Sequence, residues 1–210
     1  MNTIEYSTLF NYSPRGHDAI SEKSRQITGS IKAVRNQGVQ ILIDGLSRPE
    51  SKIINPFLND NAILVPIPGS VKYSKGKTLW PSLVLAECLA MAGYGKDVRD
   101  LLKRFETVRK SHLARNADDR ESVEKHRNTI STSIQLFPPD TNFTLIDDVI
   151  SLGRTSYACA SLLKEQYPES NIKVFAAIRT CSFFDIKQVF EPHVSTVSFN
   201  PASGKTTRHD

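Results

Sequence analysis

The chain lacks any apolar run long enough to cross a bilayer. Its longest candidate, Leu83 to Ala92, falls short of the roughly 18 uncharged apolar residues that a span needs and carries Glu87 in its middle. No basic leader followed by an apolar stretch opens the sequence, so a cytoplasmic protein with no membrane partner is expected. Cysteine is scarce: Cys88, Cys159 and Cys181 lie far apart, outside any Cys-x-x-Cys or Cys/His spacing. That excludes a disulfide framework and a structural zinc site, and Cys88 and Cys159 read as small core residues on helices. Low-complexity tracts are also missing. What remains is 210 residues, 39% hydrophobic and 23% charged, enough for one compact domain with room for a small appended element. Lys and Arg outnumber Asp and Glu by 27 to 22. The resulting net charge of +5 favours an anionic partner without distinguishing a polymer from a phosphorylated metabolite.

Gly76-Lys77-Thr78 and Gly204-Lys205-Thr206 each look like the end of a Walker A loop. The pattern G-x-x-x-x-G-K-[ST] needs an earlier Gly where this chain has Val71 and Phe199, so neither is a nucleotide-triphosphate loop.

Periodicity predicts an amphipathic helix from Ser13-Pro14 to about Gln37, with Ile20, Ile27, Ile31 and Val34 on one face. Val39 to Leu46 reads as strand or helix. Ala62 to Ile67 (AILVPI) is a compact β-branched run closed by Pro66-Ile67-Pro68-Gly69, as a buried strand entering a turn would be. Ser82 to Ala92 reads as an apolar helix stopped by Gly93. From Lys96 to Arg127 charge dominates and apolar anchors are few, which predicts a mobile basic loop, followed by a polar helix over about Asp118 to Ser133. His112 and His126 read as surface residues. Phe143 to Asp147, a helix over Thr155 to Gln166 and a strand over Ile172 to Ile178 form one βαβ crossover of a parallel sheet. The last ten residues read as disordered.

The segment with the most chemical information is Leu145-Ile146-Asp147-Asp148-Val149-Ile150-Ser151-Leu152-Gly153-Arg154-Thr155. Two adjacent acids at the carboxyl end of a buried strand sit where open α/β sheets bind ligands, and no apolar core accommodates a double carboxylate. The turn that follows feeds a helix N-terminus, where backbone N–H groups point outward and hold phosphate. Carboxylates for sugar hydroxyls and a cradle for phosphate thus lie a few residues apart, which suits a phosphorylated ribose.

The run LIDDVISLGRT resembles the phosphoribosyl-pyrophosphate signature of type I phosphoribosyltransferases. The order of LVPIPGS at residues 64 to 70, the apolar helix, the basic stretch and the signature, over roughly residues 62 to 180, is closest to the competence-protein-F (ComF-like) subgroup. The resemblance implies an α/β fold with a mainly parallel sheet flanked by helices. The chain is expected to divide into a core over residues 61–200, residues 1–60 as a helical appendage or hood, and a disordered tail over 201–210. The resemblance puts Asp147 and Asp148 on the ribose 2′- and 3′-hydroxyls, directly or around Mg²⁺, and Ser151, Leu152, Gly153, Arg154 and Thr155 around the 5′-phosphate. Pro68, Gly69, Ser70 and Lys72 hold the place of the pyrophosphate loop. The flexible Arg-rich segment corresponds to Arg104, Arg109, Lys110 and Arg115, with Arg109 as the catalytic cation. Leu152 departs from the family, which has Thr or a small residue there. One neutral hydroxyl contact worth about 1 kcal/mol is missing, and Arg154 is positioned to offset it with a charge-assisted contact of about 1.5 to 3 kcal/mol. The implied function is transfer of phosphoribose from phosphoribosyl pyrophosphate to an unidentified base or other acceptor. The alternative is a non-catalytic phosphoribosyl-pyrophosphate sensor or DNA-uptake module. Nucleic acid is the less favoured partner, and a homodimer is compatible with the family.

Overall fold

The computed structural model describes residues 1–74, 79–109 and 119–210. Its centre is a seven-stranded sheet in the order β3-β2-β6-β7-β1-β8-β9. The strands are β1 (Thr3–Tyr12), β2 (Ile63–Pro66), β3 (Asp97–Val98), β6 (Asn142–Ile150), β7 (Asn171–Thr180), β8 (Phe190–Asn200) and β9 (Lys205–Arg208). β3, β2, β6, β7 and β1 run parallel, while β8 and β9 add two antiparallel steps at one edge. A short hairpin, β4 (Leu102–Arg104) with β5 (Ile130–Thr132), stands apart from the sheet. The fold is therefore the expected α/β class with a mostly parallel sheet flanked by helices.

Successive residues of the inner strands feed opposite cores, as the period of two requires. Val65, Leu145, Val174 and Ala176 face α5 (Arg154–Gln166) and the hairpin, packing with Tyr157, Ala158, Cys159, Leu163, Leu102 and Ile130. Leu64, Ile146, Phe175 and Ala177 face α2 (Asn36–Leu46) and α3 (Pro81–Met91), packing with Leu42, Leu85 and Leu89. Burial on both faces explains why these strands read as continuous apolar runs.

Several expectations are corrected. Residues 1–60 are not a helical appendage: β1 lies inside the sheet between β7 and β8. Its polar Ser7, Thr8 and Asn11 are buried beside Leu9 and Phe10, which breaks the apolar pattern of an interior strand. The long N-terminal helix is instead two. α1 (Ala19–Lys32) is capped by Asp18, whose carboxylate accepts from the N–H groups of Ile20 and Ser21, and the chain then turns at Val34 (φ 45°) into α2. The helices approach so closely that a Cβ on Gly38 would lie 2.4 Å from the carbonyl carbon of Ser30. Finally, the tail is ordered by pairing: Lys205–Arg208 is an edge strand on β8, with Thr206 buried.

The stretch 96–127 is likewise anchored where it is described, by buried Leu101, Leu102, Val108 and Val123. The polar helix is only α4 (Val123–Arg127), because the chain becomes β5 at Ile130. β2 leads outward to β3, whereas β6 leads the opposite way to β7. The strand order thus reverses between β2 and β6, the position where open α/β sheets place their ligand cleft.

Candidate active site

β6 delivers Asp147 and Asp148, both half-buried, to that reversal point. The backbone N–H of Asp148 donates to Asp147 Oδ1 at 2.9 Å, and Lys32 Nζ, from the last turn of α1, lies 3.8 Å from Asp148 Oδ2. Burial, reinforced by the negative charge of Asp148, pushes the Asp147 carboxyl well above the usual carboxylate range. Asp147 therefore holds its proton readily and would exchange it for a cation or a hydroxyl donor.

Beyond the acids the chain turns through Ser151-Leu152-Gly153 into α5. Gly153 (φ 71°) is the left-handed residue at the helix start, and a Cβ there would lie 2.7 Å from Val197 Cγ2 on β8, so both conformation and packing require glycine. The edge strand braces this turn: Thr206 Oγ1 donates to the Leu152 carbonyl at 2.7 Å, and Arg208 Nη1 to the Ile150 carbonyl at 3.2 Å. Arg154 Nη1 donates to the carbonyls of Arg120 (2.7 Å) and Glu121 (3.3 Å), so its guanidinium pins the 120–121 segment beside the turn. It is neither solvent-directed nor committed wholly to a ligand. Arg120, Arg154 and Arg208 each bury an Nε that has no acceptor among the described residues. Burial lowers the proton affinity of Arg120, and the charges of Arg154 and Arg208 lower it further. An anion at the turn would relieve this crowding of cations.

Across the cleft, the loop after β2 presents Pro68, Gly69 and Ser70. Trp80 Nε1 donates to the Ile67 carbonyl at 2.8 Å, and the Ser82 hydroxyl donates to the same oxygen. Arg104, expected on a mobile loop, is instead fully buried. Its Nε donates to the Gly69 carbonyl at 2.5 Å, its Nη1 to Thr129 Oγ1 at 2.6 Å, and its Nη2 meets His126 Nδ1 at 3.2 Å. His126 is no surface residue either: it is buried, with its pKa lowered to about 4 by burial and then by the charges of Arg104 and Arg154. Its Nε2 lies 3.2 Å from Thr155 Oγ1.

These parts line one cleft of about 630 Å³ at the carboxyl ends of β2 and β6. It gathers Asp147, Asp148, Ser151, Leu152, Gly153, Arg154, Thr155, Pro68, Gly69, Ser70 and Arg109, together with Tyr12, Arg15, Lys32, Trp80 and Arg120, which sequence reasoning did not single out. A second hollow of about 270 Å³, near Phe137, Thr141 and Tyr167, lies at the amino end of β6 and has no catalytic constellation. The Lys72 N–H bonds Thr107 Oγ1 at 3.0 Å, and Lys72 is not among the lining residues. Lys103 pairs with Asp100 at 2.9 Å, outside the cleft. Arg179 is a sheet-end brace, with Nε 2.7 Å from Asn11 Oδ1 and Nη2 3.4 Å from a Glu191 carboxylate oxygen. Lys110, His112 and Arg115 lie outside the described residues, as does the Gly76-Lys77-Thr78 segment.

Among the described residues no helix is long and apolar enough to cross a membrane. No family model matches the chain, and no curated protein is similar to it. Among solved structures it is similar to a hypoxanthine phosphoribosyltransferase from Staphylococcus aureus, with 10% identity, a TM-score of 0.33, and coverage of 85% of this chain and 89% of that one. The hypoxanthine phosphoribosyltransferase of Trypanosoma cruzi gives a TM-score of 0.30 at the same identity and coverage.

Proposed function

We propose that the cleft binds phosphoribosyl pyrophosphate with Mg²⁺ and transfers its phosphoribosyl group to an acceptor, as the ComF-like resemblance of the motifs implies. One observation carries the reading: the Asp147-Asp148 pair and a cation-crowded helix N-terminus face a single cleft at the reversal point of the sheet.

In this reading Asp147 and Asp148 accept hydrogen bonds from the ribose hydroxyls. The 5′-phosphate lies in the turn 151–155, held by outward N–H groups at the start of α5 and by the Thr155 hydroxyl. Leu152 contributes only its backbone. The pyrophosphate extends toward Pro68, Gly69 and Ser70, with Arg109 on the same wall. The bond from C1′ to the pyrophosphate oxygen breaks and its electron pair leaves with pyrophosphate. A lone pair of the acceptor then forms the new bond at C1′, and the proton carried by the attacking atom is released to water. Positive charge grows on the sugar beside two carboxylates and negative charge grows on the leaving group beside the guanidinium, so stabilisation is electrostatic. When bound, Mg²⁺ would supply positive charge against the negative charge that grows on the leaving group. Such an ion needs only one or two protein carboxylates, which Asp147 and Asp148 would supply.

The test is a screen of purine and pyrimidine bases and other acceptors for pyrophosphate release with phosphoribosyl pyrophosphate and Mg²⁺. Turnover with one acceptor, lowered about 100-fold or more by Asp147→Asn or by Asp148→Asn, is the expected result. Release that is unaffected by either substitution would remove the acids from the mechanism.

A further inference from the structure

Hydrogen-bond bookkeeping along Arg104, His126 and Thr155 fixes the direction of one proton. A guanidinium only donates, so His126 Nδ1, 3.2 Å from Arg104 Nη2, must accept. The proton of the neutral ring is then on Nε2, which donates to Thr155 Oγ1 at 3.2 Å. The burial of the ring and the adjacent guanidinium both favour this neutral form. Thr155 Oγ1, with one acceptor site filled by His126, still has its own proton to give. No acceptor among the described residues takes it, and Thr155 is half-exposed on the cleft wall. The relay is rigidly mounted. Arg127, next to His126 on α4, donates to Ser161 Oγ at 2.6 Å and pairs with Glu165 at 2.8 Å, locking α4 onto α5. At its other end Arg104 grips the Gly69 carbonyl on the opposite wall.

We propose that Arg104 and His126 are positioning residues that aim the hydroxyl proton of Thr155 into the cleft, at the phosphate held by the turn 151–155, a role that rests on the phosphate-binding reading above. The same chain of donors sets the spacing between the two walls, because it runs without a break from the Gly69 carbonyl to the start of α5. Both residues exert this role through Thr155.

The test is a double-mutant cycle read by calorimetric titration with ribose 5-phosphate, with thermal unfolding of each variant alongside. Thr155→Val is expected to weaken binding about tenfold and His126→Leu about fivefold to tenfold. His126→Leu added to Thr155→Val should cost no more than about a further twofold, because the proton it aimed is gone. His126→Gln, which can accept from Arg104 and donate to Thr155, should restore affinity to within about threefold of the parent. Losses that multiply in the double variant, or a His126→Gln protein that unfolds like the parent but binds no better than His126→Leu, would overturn the role while leaving the phosphate reading intact. Where a variant does not fold, the ring nitrogens of the parent decide. Nitrogen-15 NMR at neutral pH should show His126 neutral with its proton on Nε2, and a proton on Nδ1 or a charged ring contradicts the relay. Failure of the parent to bind ribose 5-phosphate would overturn the phosphate reading and this role with it.

Discussion

Asp147→Asn should make the protein more stable at neutral pH while impairing its site. The parent carboxyl is raised well above its usual range by burial and by the neighbouring Asp148 charge. A carboxyl whose folded pKa lies above its unfolded value binds more protons in the folded state. Its influence is therefore most favourable below the unfolded pKa, and stability falls as pH rises towards the folded pKa. At neutral pH the folded protein carries the cost of keeping the Asp147 carboxyl buried beside the charge of Asp148. Two unit charges about 4 Å apart repel by about 4 kcal/mol at an effective dielectric near 20, and Lys32, 3.8 Å from Asp148, returns part of that. Asn keeps an oxygen for the Asp148 N–H and removes the charge, so a gain of about 1 to 3 kcal/mol is expected, seen as about 2 to 4 °C in Tm per kcal/mol. Urea unfolding of parent and variant between mildly acidic and neutral pH measures it directly. The gap should widen as pH rises and close in acid. A variant no more stable than the parent at neutral pH, or a gap that does not change with pH, would refute the reasoning.

Gly153→Ala should destabilise by about 2 kcal/mol or more, since alanine pays both for the left-handed conformation and for the contact with Val197; denaturant titration reads it. Leu152→Thr should change phosphoribosyl-pyrophosphate affinity by less than about tenfold, whereas Arg154→Ala, which releases the carbonyls of Arg120 and Glu121, should weaken it about tenfold or more. A dissociation constant for Arg154→Ala within twofold of the parent would leave the turn held by its backbone alone. Arg109→Ala should lower turnover and leave duplex DNA affinity, compared at one stated salt concentration, unchanged; the reverse pattern would favour a nucleic-acid strip.

The parts of the fold that were legible from sequence are those in which one local rule dominates. Ile63–Pro66, Pro81–Met91, Asn142–Ile150 and Asn171–Thr180 are apolar and bounded by proline, glycine or acids, and the Asp147-Asp148 pair stands out because a strand end is the only place for it. β1 was not legible because its buried Ser7, Thr8 and Asn11 give it neither an alternating nor a uniformly apolar pattern. β9, with the sequence KTTR, gains its order only from pairing with β8. Arg104 and His126 read as exposed charge because their partners come from distant segments: the Gly69 carbonyl precedes Arg104 by 35 residues and Thr155 follows His126 by 29. Burial of a polar group is then a property of tertiary structure, and no spacing rule announces it.

The most direct measurement is calorimetric titration of the intact protein with phosphoribosyl pyrophosphate, with and without Mg²⁺, beside the Asp147→Asn/Asp148→Asn double variant. Binding to the parent should strengthen about tenfold or more with Mg²⁺, and the double variant should lose that dependence while keeping the weaker, phosphate-directed affinity. Equal affinity in both proteins, with and without Mg²⁺, would contradict the ribose and metal roles of the acid pair.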